Sequence, residues 1–359
     1  MTFKGENDMS VMVKKRGGVL VTVAVALVLA CTAFYASTET ALAEASNEHT
    51  YNITFHTADV YLGGTDTDVK VRVGNSAGEW TDWHTLDADG WDDFERDDYA
   101  SYYFADKNIG SADKIEINGD GWALDWFQMF GYDKVTLPSN DRWFKNNVRS
   151  FSLTDRRQGD GSAASPYRVS FDKDQTVYAV RKGCYARFNE YWVLDLGGHT
   201  LTLDSGYRLS DVFQVGNFGN LTVKNGKINI NGNIKGNNDD YRGFGVYGGT
   251  LNLGEENGNT TLEIYGGQNK LIDSSGKGGG IYVEEPKGAA THLNIYKGTT
   301  IHDCFSRNGG GVYLGDGAVM KTKGGEIRDC SATQTGAGIC MDEGSTAIID
   351  GTTIKDSTA

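Results

Sequence analysis

The sequence has little proline and fewer basic than acidic residues. Only 3 of its 359 residues are proline, whereas 48 are glycine. A collagen-like structure needs a proline-rich Gly-X-Y repeat and is therefore excluded. Asp and Glu (48) outnumber Lys and Arg (34), so the formal net charge is −14. Because nucleic-acid binding requires a basic face, we expect no nucleic acid among the partners.

Cysteine is scarce as well. The chain has 5 cysteines, and their spacing fits no zinc motif. They are too few for a scaffold built on disulfides. Hydrophobic residues still make up 39% of the sequence, which excludes a disordered chain. The many glycines are therefore expected at turns within ordered structure.

Residues 1–43 have the pattern of a secretory signal peptide. The basic segment Lys14–Arg16 precedes an apolar run from Gly17 to Ala30, and Ala41–Ala43 fits an A-x-A cleavage site. The apolar run is also long enough for an uncleaved membrane anchor, and Cys31 closes an approximate lipoprotein box. Each alternative predicts a secreted or cell-surface protein.

Composition divides the remaining chain into two parts. Residues 51–147 contain six of the seven tryptophans and 19 acidic against 8 basic residues. The later part is nearly neutral and holds most of the glycine. We predict one domain over 50–147, a linker over 148–165 and a second domain over 166–359.

The first domain alternates short strands with turns. Segments such as Tyr51–Phe55 and Val69–Val73 are separated by turns rich in Gly, Asn and Asp, a pattern typical of an antiparallel β-sandwich. The order of three motifs, Gly64–Asp66, Asp92–Phe94 and Trp122–Asp125, resembles that of a PLAT domain, the sandwich of lipoxygenases and alpha-toxins.

The resemblance implies a calcium site, since acidic loops at one end of the sandwich hold the metal in calcium-binding PLAT domains. Matched by motif, the implied ligands are Gly64, Thr65, Asp66, Asp92, Asp93, Asp120 and Gly121. Calcium takes six to eight oxygen ligands, which converging Asp-rich loops would supply. Leu62 stands where some relatives have Asp, and the alternative is that these aspartates only solvate their loops.

The resemblance also implies docking on a lipid, a glycan or a partner protein. Trp80, Trp83 and Trp91 lie near turns and are candidates for insertion into a membrane interface or stacking on a sugar. We expect Trp126 and Trp143 to lie in the core of the sandwich.

The second domain is built from repeats with two signatures. The first is a glycine-rich segment that leads into a strand, at Gly243–Tyr247, Gly278–Val283, Gly309–Leu314 and Gly336–Met341. Aligned on Val246, these copies follow one another at steps of 35, 31 and 27 residues. The second signature occurs at Leu271–Ser274, Ile301–Cys304, Ile327–Cys330 and Ile354–Ser357. Alternating strands, Leu262–Tyr265, Leu293–Tyr296 and Ala347–Asp350, complete the repeats.

A single repeat of three short strands cannot bury its apolar face, so the copies must stack. The pattern predicts a parallel β-helix, and residues 166–359 resemble the right-handed, pectin-lyase-like β-helices of bacterial surface proteins. The predicted fold class is therefore all-β, an N-terminal antiparallel β-sandwich followed by a C-terminal right-handed parallel β-helix. This resemblance does not define an activity, because the fold hosts both enzymes and inert stalks.

A row of aspartates offers the one catalytic alternative. Asp303 and Asp329 would lie on neighbouring coils beside Arg328, and pectin-lyase-like enzymes use carboxylates in such positions. We favour a structural role, because Asp356 continues the row and Asp is a common turn former.

Cys304 and Cys330 fall at equivalent places on adjacent coils. They could form a disulfide, but we favour a ladder of small residues, in which Ser274 and Ser357 fill the same place. The sequence ends in the middle of a repeat, from which we expect a longer parent protein.

Together these features predict a secreted or cell-surface binding or adhesion protein that is not an enzyme. A calcium-dependent PLAT-like module would bind lipid, glycan or protein, and the β-helix would serve as a stalk. The alternative is an extracellular polysaccharide lyase or glycoside hydrolase.

Overall fold

The computed structural model describes residues 48–65, 67–86, 94–178, 184–204, 211–216, 218–230, 240–269, 276–286 and 289–359. The predicted leader over 1–43 lies outside these residues. From His49 onward the chain forms one compact unit. Strands are the only regular elements in the described ranges, so no helix there has the length and apolarity that a membrane crossing needs.

The N-terminal part is a β-sandwich of nine strands. These are β1 (Glu48–Thr57), β2 (Val69–Gly74), β3 (His84–Leu86), β4 (Tyr99–Lys107), β5 (Lys114–Gly119), β6 (Trp122–Met129), β7 (Val135–Thr136), β8 (Trp143–Phe144) and β9 (Asn147–Ser152). One sheet has the order β4-β1-β6-β7 with β8 on β6, and the other has the order β3-β2-β5-β9. The pairs β1–β6, β2–β5 and β5–β9 are antiparallel.

Alternation in the strands forms the sandwich core. Ile53 and Phe55 from β1 meet Val71 of β2 and Trp122 of β6, and all four are buried. The Trp122 indole Nε1 donates to Thr57 Oγ1 at 3.0 Å, which satisfies its polar atom in the core.

The C-terminal part winds through stacked coils of three strands or more. The first three coils contain β10 (Tyr167–Ser170), β11 (Gln175–Tyr178), β12 (Cys184–Phe188), β13 (Tyr191–Asp195), β14 (Thr200–Asp204), β15 (Asp211–Val215), β16 (Asn220–Lys224), β17 (Gly226–Asn229) and β18 (Asp240–Tyr247). The next two contain β19 (Thr250–Leu253), β20 (Leu262–Tyr265), β21 (Gln268–Asn269), β22 (Ile281–Glu284), β23 (His292–Tyr296), β24 (Thr299–His302), β25 (Phe305–Asn308) and β26 (Val312–Leu314). The last strands are β27 (Val319–Lys323), β28 (Glu326–Arg328), β29 (Ser331–Thr335), β30 (Ile339–Met341), β31 (Thr346–Asp350) and β32 (Thr353–Lys355).

Equivalent strands of successive coils form long parallel sheets. The first runs β10-β13-β16-β19-β23-β27-β31 and the second β11-β14-β17-β20-β24-β28-β32. The third contains β12, β15, β18, β22, β26 and β30, while β21, β25 and β29 form a short fourth side. A continuous ladder of Ile228, Ile264, Ile301 and Ile327 lies in the core. The predicted fold class, an antiparallel sandwich followed by a parallel β-helix, is confirmed.

The first glycine-rich copy has a different register from the predicted one. The predicted step of 35 residues sets Val246 opposite Ile281, whereas the structure sets Phe244 there and Val246 opposite Val283. The later copies pair as predicted, with Ile281 opposite Val312 and Val312 opposite Ile339. A shift of two residues keeps every side chain on its face, so composition alone does not reveal it.

One copy of the second signature differs from its predicted place as well. Leu262–Tyr265 pairs with Thr299–His302, not with the alternating strand at Leu293–Tyr296. Gly266 (φ +82°) therefore stands where the next coil has Asp303 (φ +52°). Glycine adopts this left-handed conformation without a Cβ penalty. Because glycine replaces aspartate at this place, the second signature cannot be recognised in the sequence of this coil. The segment predicted as this copy, Leu271–Ser274, lies outside the described residues.

The sandwich and the first coil are joined directly. Asn147–Ser152, at the start of the predicted linker, is the last strand of the second sandwich sheet. The Asn52 side chain donates to Arg187 O at 2.9 Å and accepts from Arg187 N at 2.7 Å. Phe130, which follows β6, packs edge-to-face on Phe188 and Trp192 of the β-helix core. The sandwich thus covers the first end of the β-helix.

Candidate functional site

Three loops meet at one end of the sandwich. Thr65 N donates to Phe94 O at 3.2 Å, which joins the loop after β1 to the loop before β4. The Thr65 hydroxyl donates to Asp120 O at 2.6 Å, which joins it to the β5–β6 turn. Thr65 Oγ1 also accepts a hydrogen bond from Thr67 N at 3.1 Å. The hydrogen bonds of Thr65 therefore hold the three loops at this end of the sandwich next to one another.

Two of the predicted site residues are glycines with distinct roles. A Cβ on Gly64 would lie 3.0 Å from Arg96 N and 3.1 Å from Phe94 O, so the close approach of these loops requires glycine. Gly121 has φ +63°, and no atom lies within 4 Å of the place that a Cβ would occupy. Glycine is favoured at Gly121 because the tight turn after β5 needs the left-handed conformation.

The described loops bring together Gly64, Thr65, Asp120 and Gly121 of the implied calcium ligands. Asp66, Asp92 and Asp93 lie outside the described residues. The oxygen-rich donor set suits a hard cation, but the described residues contain no cluster of three or more His, Cys, Asp or Glu arranged to hold a metal. The calcium site stays a prediction.

An apolar tip stands beside these loops. The Tyr61 side chain is 81% exposed and the Leu62 side chain 69%. Leu62 has φ +59°, and Gly63 N donates to Val60 O at 2.9 Å to close the turn. Leu62 was expected only as a missing calcium ligand, and Tyr61 was not among the predicted site residues. Two adjacent apolar residues before a glycine pair were the available signal.

Two of the tryptophans predicted as docking candidates contact one arginine. Trp80 and Trp83 flank the Arg72 guanidinium, which lies 4.6 and 4.8 Å from the two ring centroids. The guanidinium also pairs with Glu116 at 2.7 Å. These two rings are therefore partly engaged with the second sandwich sheet, and Trp91 lies outside the described residues.

The prediction that Trp126 and Trp143 belong to the core is wrong. Trp143 is 38% exposed, and Trp126 is half-buried beside His56, with Lys134 Nζ 4.7 Å from its ring centroid. Inward positions on β6 include Trp122 and Leu124, and a β-bulge shifts the pairing of β1 with β6 between His56 and Thr57. Trp122 is the core tryptophan instead.

The aspartate row of the β-helix lies at a corner of the coils. Asp303, Asp329 and Asp356 have φ of 52°, 51° and 50°. Asp303 Oδ2 lies 2.6 Å from His302 Nδ1, and Arg328 pairs with Asp329. This hydrogen bond raises the pKa of Arg328, so its guanidinium stays charged. The geometry is that of a repeated left-handed turn with an exposed carboxylate.

A polar groove of about 700 Å³ lies where the sandwich meets the first coils. Asp133 and Lys134 line it from the sandwich, and Arg168, Lys173 and Asp195 line it from the β-helix. Arg156 crosses the groove wall and bonds both carboxylate oxygens of Asp133, at 2.8 and 2.6 Å. Sequence reasoning missed this groove because its walls come from segments distant in the chain.

No protein-family model matches the chain, and no curated protein matches it. Among solved structures, the alpha toxin from Clostridium absonum matches with 17% identity and a TM-score of 0.25, over 30% of this chain and 32% of the toxin. Coral 8R-lipoxygenase matches with 21% identity and a TM-score of 0.23, over 32% of this chain and 17% of the enzyme. A calcium-dependent 11R-lipoxygenase matches with 19% identity and a TM-score of 0.21, over 32% of this chain and 17% of the enzyme.

These likenesses involve a minor share of each chain. The predicted fold class, an antiparallel β-sandwich followed by a parallel β-helix, is confirmed by the strand pairing, whereas the resemblance of the sandwich to a PLAT domain stays a prediction. The matches therefore assign no activity of the toxin or the lipoxygenases to this chain.

Proposed function

We propose that this is a secreted or cell-surface binding protein without enzymatic activity, whose sandwich docks on a lipid surface in the presence of calcium. The observation that supports the proposal is the apolar tip of Tyr61 and Leu62 beside the clamped, oxygen-rich loops. The β-helix then serves as a rigid spacer that carries further binding surface.

Charge and apolar area make calcium a condition for docking. The acidic loops repel an anionic headgroup layer unless a cation neutralises them. Burying a Leu or aromatic side chain stabilises the bound state by roughly 1.5–3 kcal/mol per side chain. Tyr61 and Leu62 therefore add affinity only when a cation has neutralised the acidic loops, so that the loops can approach the lipid surface.

The test is flotation of the full chain with phosphatidylcholine–phosphatidylserine vesicles, combined with calorimetry of calcium binding. We expect flotation with calcium and its loss with a chelator. Replacing Tyr61 and Leu62 together by Ser should weaken vesicle binding at least about tenfold while leaving the calcium heat unchanged. Asp66→Asn, Asp93→Asn and Asp120→Asn should reduce both signals, whereas Asp350→Asn, on the far coil, should change neither.

Two results would overturn the proposal. No heat at millimolar calcium would remove the metal from it. Calcium-dependent binding to a glycan array without binding to vesicles would assign the loop end to a carbohydrate.

The groove at the junction favours a second candidate, an extracellular polysaccharide lyase or glycoside hydrolase. Arg168 and Lys173 are exposed cations on its wall that could meet an acidic sugar. An activity screen on acidic polysaccharides tests this alternative, and we expect no depolymerisation. Depolymerisation that Arg168→Ala, Arg328→Ala or Asp329→Ala abolishes would establish an enzyme and locate its site.

A further inference from the structure

Cys304 and Cys330 occupy the same place on successive coils. Ile301 lies opposite Ile327, and Phe305 lies opposite Ser331, with the same number of residues between them in both coils. Ser331 N donates to Cys304 O at 2.8 Å, so the backbone ladder continues through this position. The two cysteines are therefore direct neighbours across the ladder.

Both side chains point into the core in the same way. Each cysteine is 1% exposed and belongs to the hydrophobic cluster of the β-helix. Each thiol donates to the carbonyl two residues earlier, at 3.2 Å for Cys304 and 3.3 Å for Cys330. Neighbouring strands are about 4.8 Å apart, within the Cα separation of about 4.4–6.8 Å that a disulfide spans.

Glycines leave space around the two sulfurs. A Cβ on Gly280 would lie 3.1 Å from Cys304 Sγ, and one on Gly311 would lie 3.2 Å from Cys330 Sγ. Glycine at these two positions therefore avoids a tight contact between a Cβ and each sulfur. The same place holds Gly267 in the preceding coil, which accepts from Phe305 N, and Ser357 in the following one.

We propose that Cys304 and Cys330 form a disulfide that staples these two coils. One thiolate attacks a small-molecule disulfide such as oxidised glutathione, which forms a mixed disulfide and releases one glutathione thiolate. The second cysteine thiolate then attacks the protein sulfur of the mixed disulfide and releases the second glutathione. The two cysteines lose two electrons and two protons, and the glutathione disulfide is reduced to two thiols. Since both thiols are buried in the folded state, the exchange takes place during folding.

The experiment is refolding of the full chain with reduced and oxidised glutathione, then alkylation in denaturant and tryptic mapping. Trypsin separates Cys304 from Cys330 at Arg307, Lys321, Lys323 and Arg328, but Cys330 and Cys340 share one peptide. The map is therefore made in a Cys340→Ser background as well. We expect a linked pair of peptides that survives Cys340→Ser and disappears in Cys304→Ser and in Cys330→Ser.

Stability gives a second readout. The oxidised protein should melt at a higher temperature than the reduced protein, and this difference should vanish in Cys330→Ser. That variant should still fold, because Ser357 already occupies the equivalent place one coil later. Full alkylation of both cysteines after oxidative refolding, or linkage to Cys340 instead, would overturn the proposal.

Discussion

At the scale of single residues, the corner aspartates show how a repeated polar residue serves the backbone. Asp329 takes a left-handed conformation, like Asp303 and Asp356 on the neighbouring coils. In this conformation most residues with a Cβ are strained, whereas Gly is not and Asn and Asp tolerate it. Gly266 fills the equivalent place in an earlier coil. The backbone conformation therefore accounts for the recurrence of Asp at this corner.

Substitutions at Asp329 can separate conformation from charge. We expect Asp329→Ala to reduce the free energy of unfolding by about 1 kcal/mol, because Ala is strained in the left-handed conformation. Asp329→Asn removes the charge but keeps the conformational preference, and Asp329→Gly removes the strain altogether. Both should stay within about 0.5 kcal/mol of wild type. Urea unfolding checks the series.

A different order of stabilities would contradict this interpretation. If Asp329→Asn proved as unstable as Asp329→Ala, the ion pair with Arg328 would be the dominant contribution. The turn conformation would then be secondary.

At the scale of elements, the Asn52 side chain makes hydrogen bonds that a neighbouring strand would otherwise make. Asn52 lies on the outer face of β1 and bonds both the N–H and the C=O of Arg187 in β12. It thereby supplies the two hydrogen bonds that a neighbouring backbone would give. Asn52 is buried, so these groups have no access to water.

We expect Asn52→Ala to lower the free energy of unfolding by roughly 2–4 kcal/mol, since it leaves a buried donor and a buried acceptor of Arg187 without partners. The matched control is Asn140→Ala, which removes an exposed amide and should change stability little. Guanidinium unfolding followed by tryptophan fluorescence measures both. Equal effects of the two substitutions would contradict the role of Asn52.

The same scale shows what the sequence can predict. Strand alternation and the recurrence of a glycine-rich segment before an apolar strand specify stacked coils, because each strand has one face to bury. The copy containing Gly266 escapes this pattern, since glycine replaces aspartate where only the backbone conformation is retained. Trp122 is buried and Trp126 on the same strand is half-buried, because a β-bulge in the pairing of β1 with β6 changes which residues of β6 face the core. The groove joins segments far apart in sequence and leaves no local pattern.

At the scale of the whole molecule, a buried polar network joins the sandwich to the β-helix. Glu190 accepts from His49 Nδ1 at 2.8 Å and from Thr50 N at 2.7 Å. His49 Nε2 in turn lies 2.9 Å from Arg157, which pairs with Asp155 at 3.0 Å. Charged groups from both parts are thus satisfied only when the parts are joined.

This network predicts stability that falls in acid. Burial alone would raise the pKa of Glu190, but the hydrogen bonds from His49 and Thr50 outweigh it and hold the pKa below its ordinary value. The pKa of Asp155 is lowered in the same way, because the bonds from Arg157 outweigh burial. A lowered folded pKa gives stability that is present above the unfolded pKa, about 4 for these groups, and is lost as pH falls through the folded value.

Melting temperatures between neutral and acidic pH test this expectation. The wild-type protein should lose stability progressively below about pH 4. Glu190→Gln should be less stable at neutral pH and should lose less on acidification. An acid limb as steep in Glu190→Gln as in wild type would exclude Glu190 as its source.

The covered first end of the β-helix has a consequence for length. Phe130 of the sandwich seals the core of the first coils, so repeats cannot be inserted there without rebuilding the seal. Beyond it, each coil pairs in register only with its neighbours. A gain or loss of one repeat would therefore lengthen or shorten the stack by about 4.8 Å and leave the sandwich as it is. The number of coils therefore sets the distance between the sandwich and the coil that contains β31 and β32.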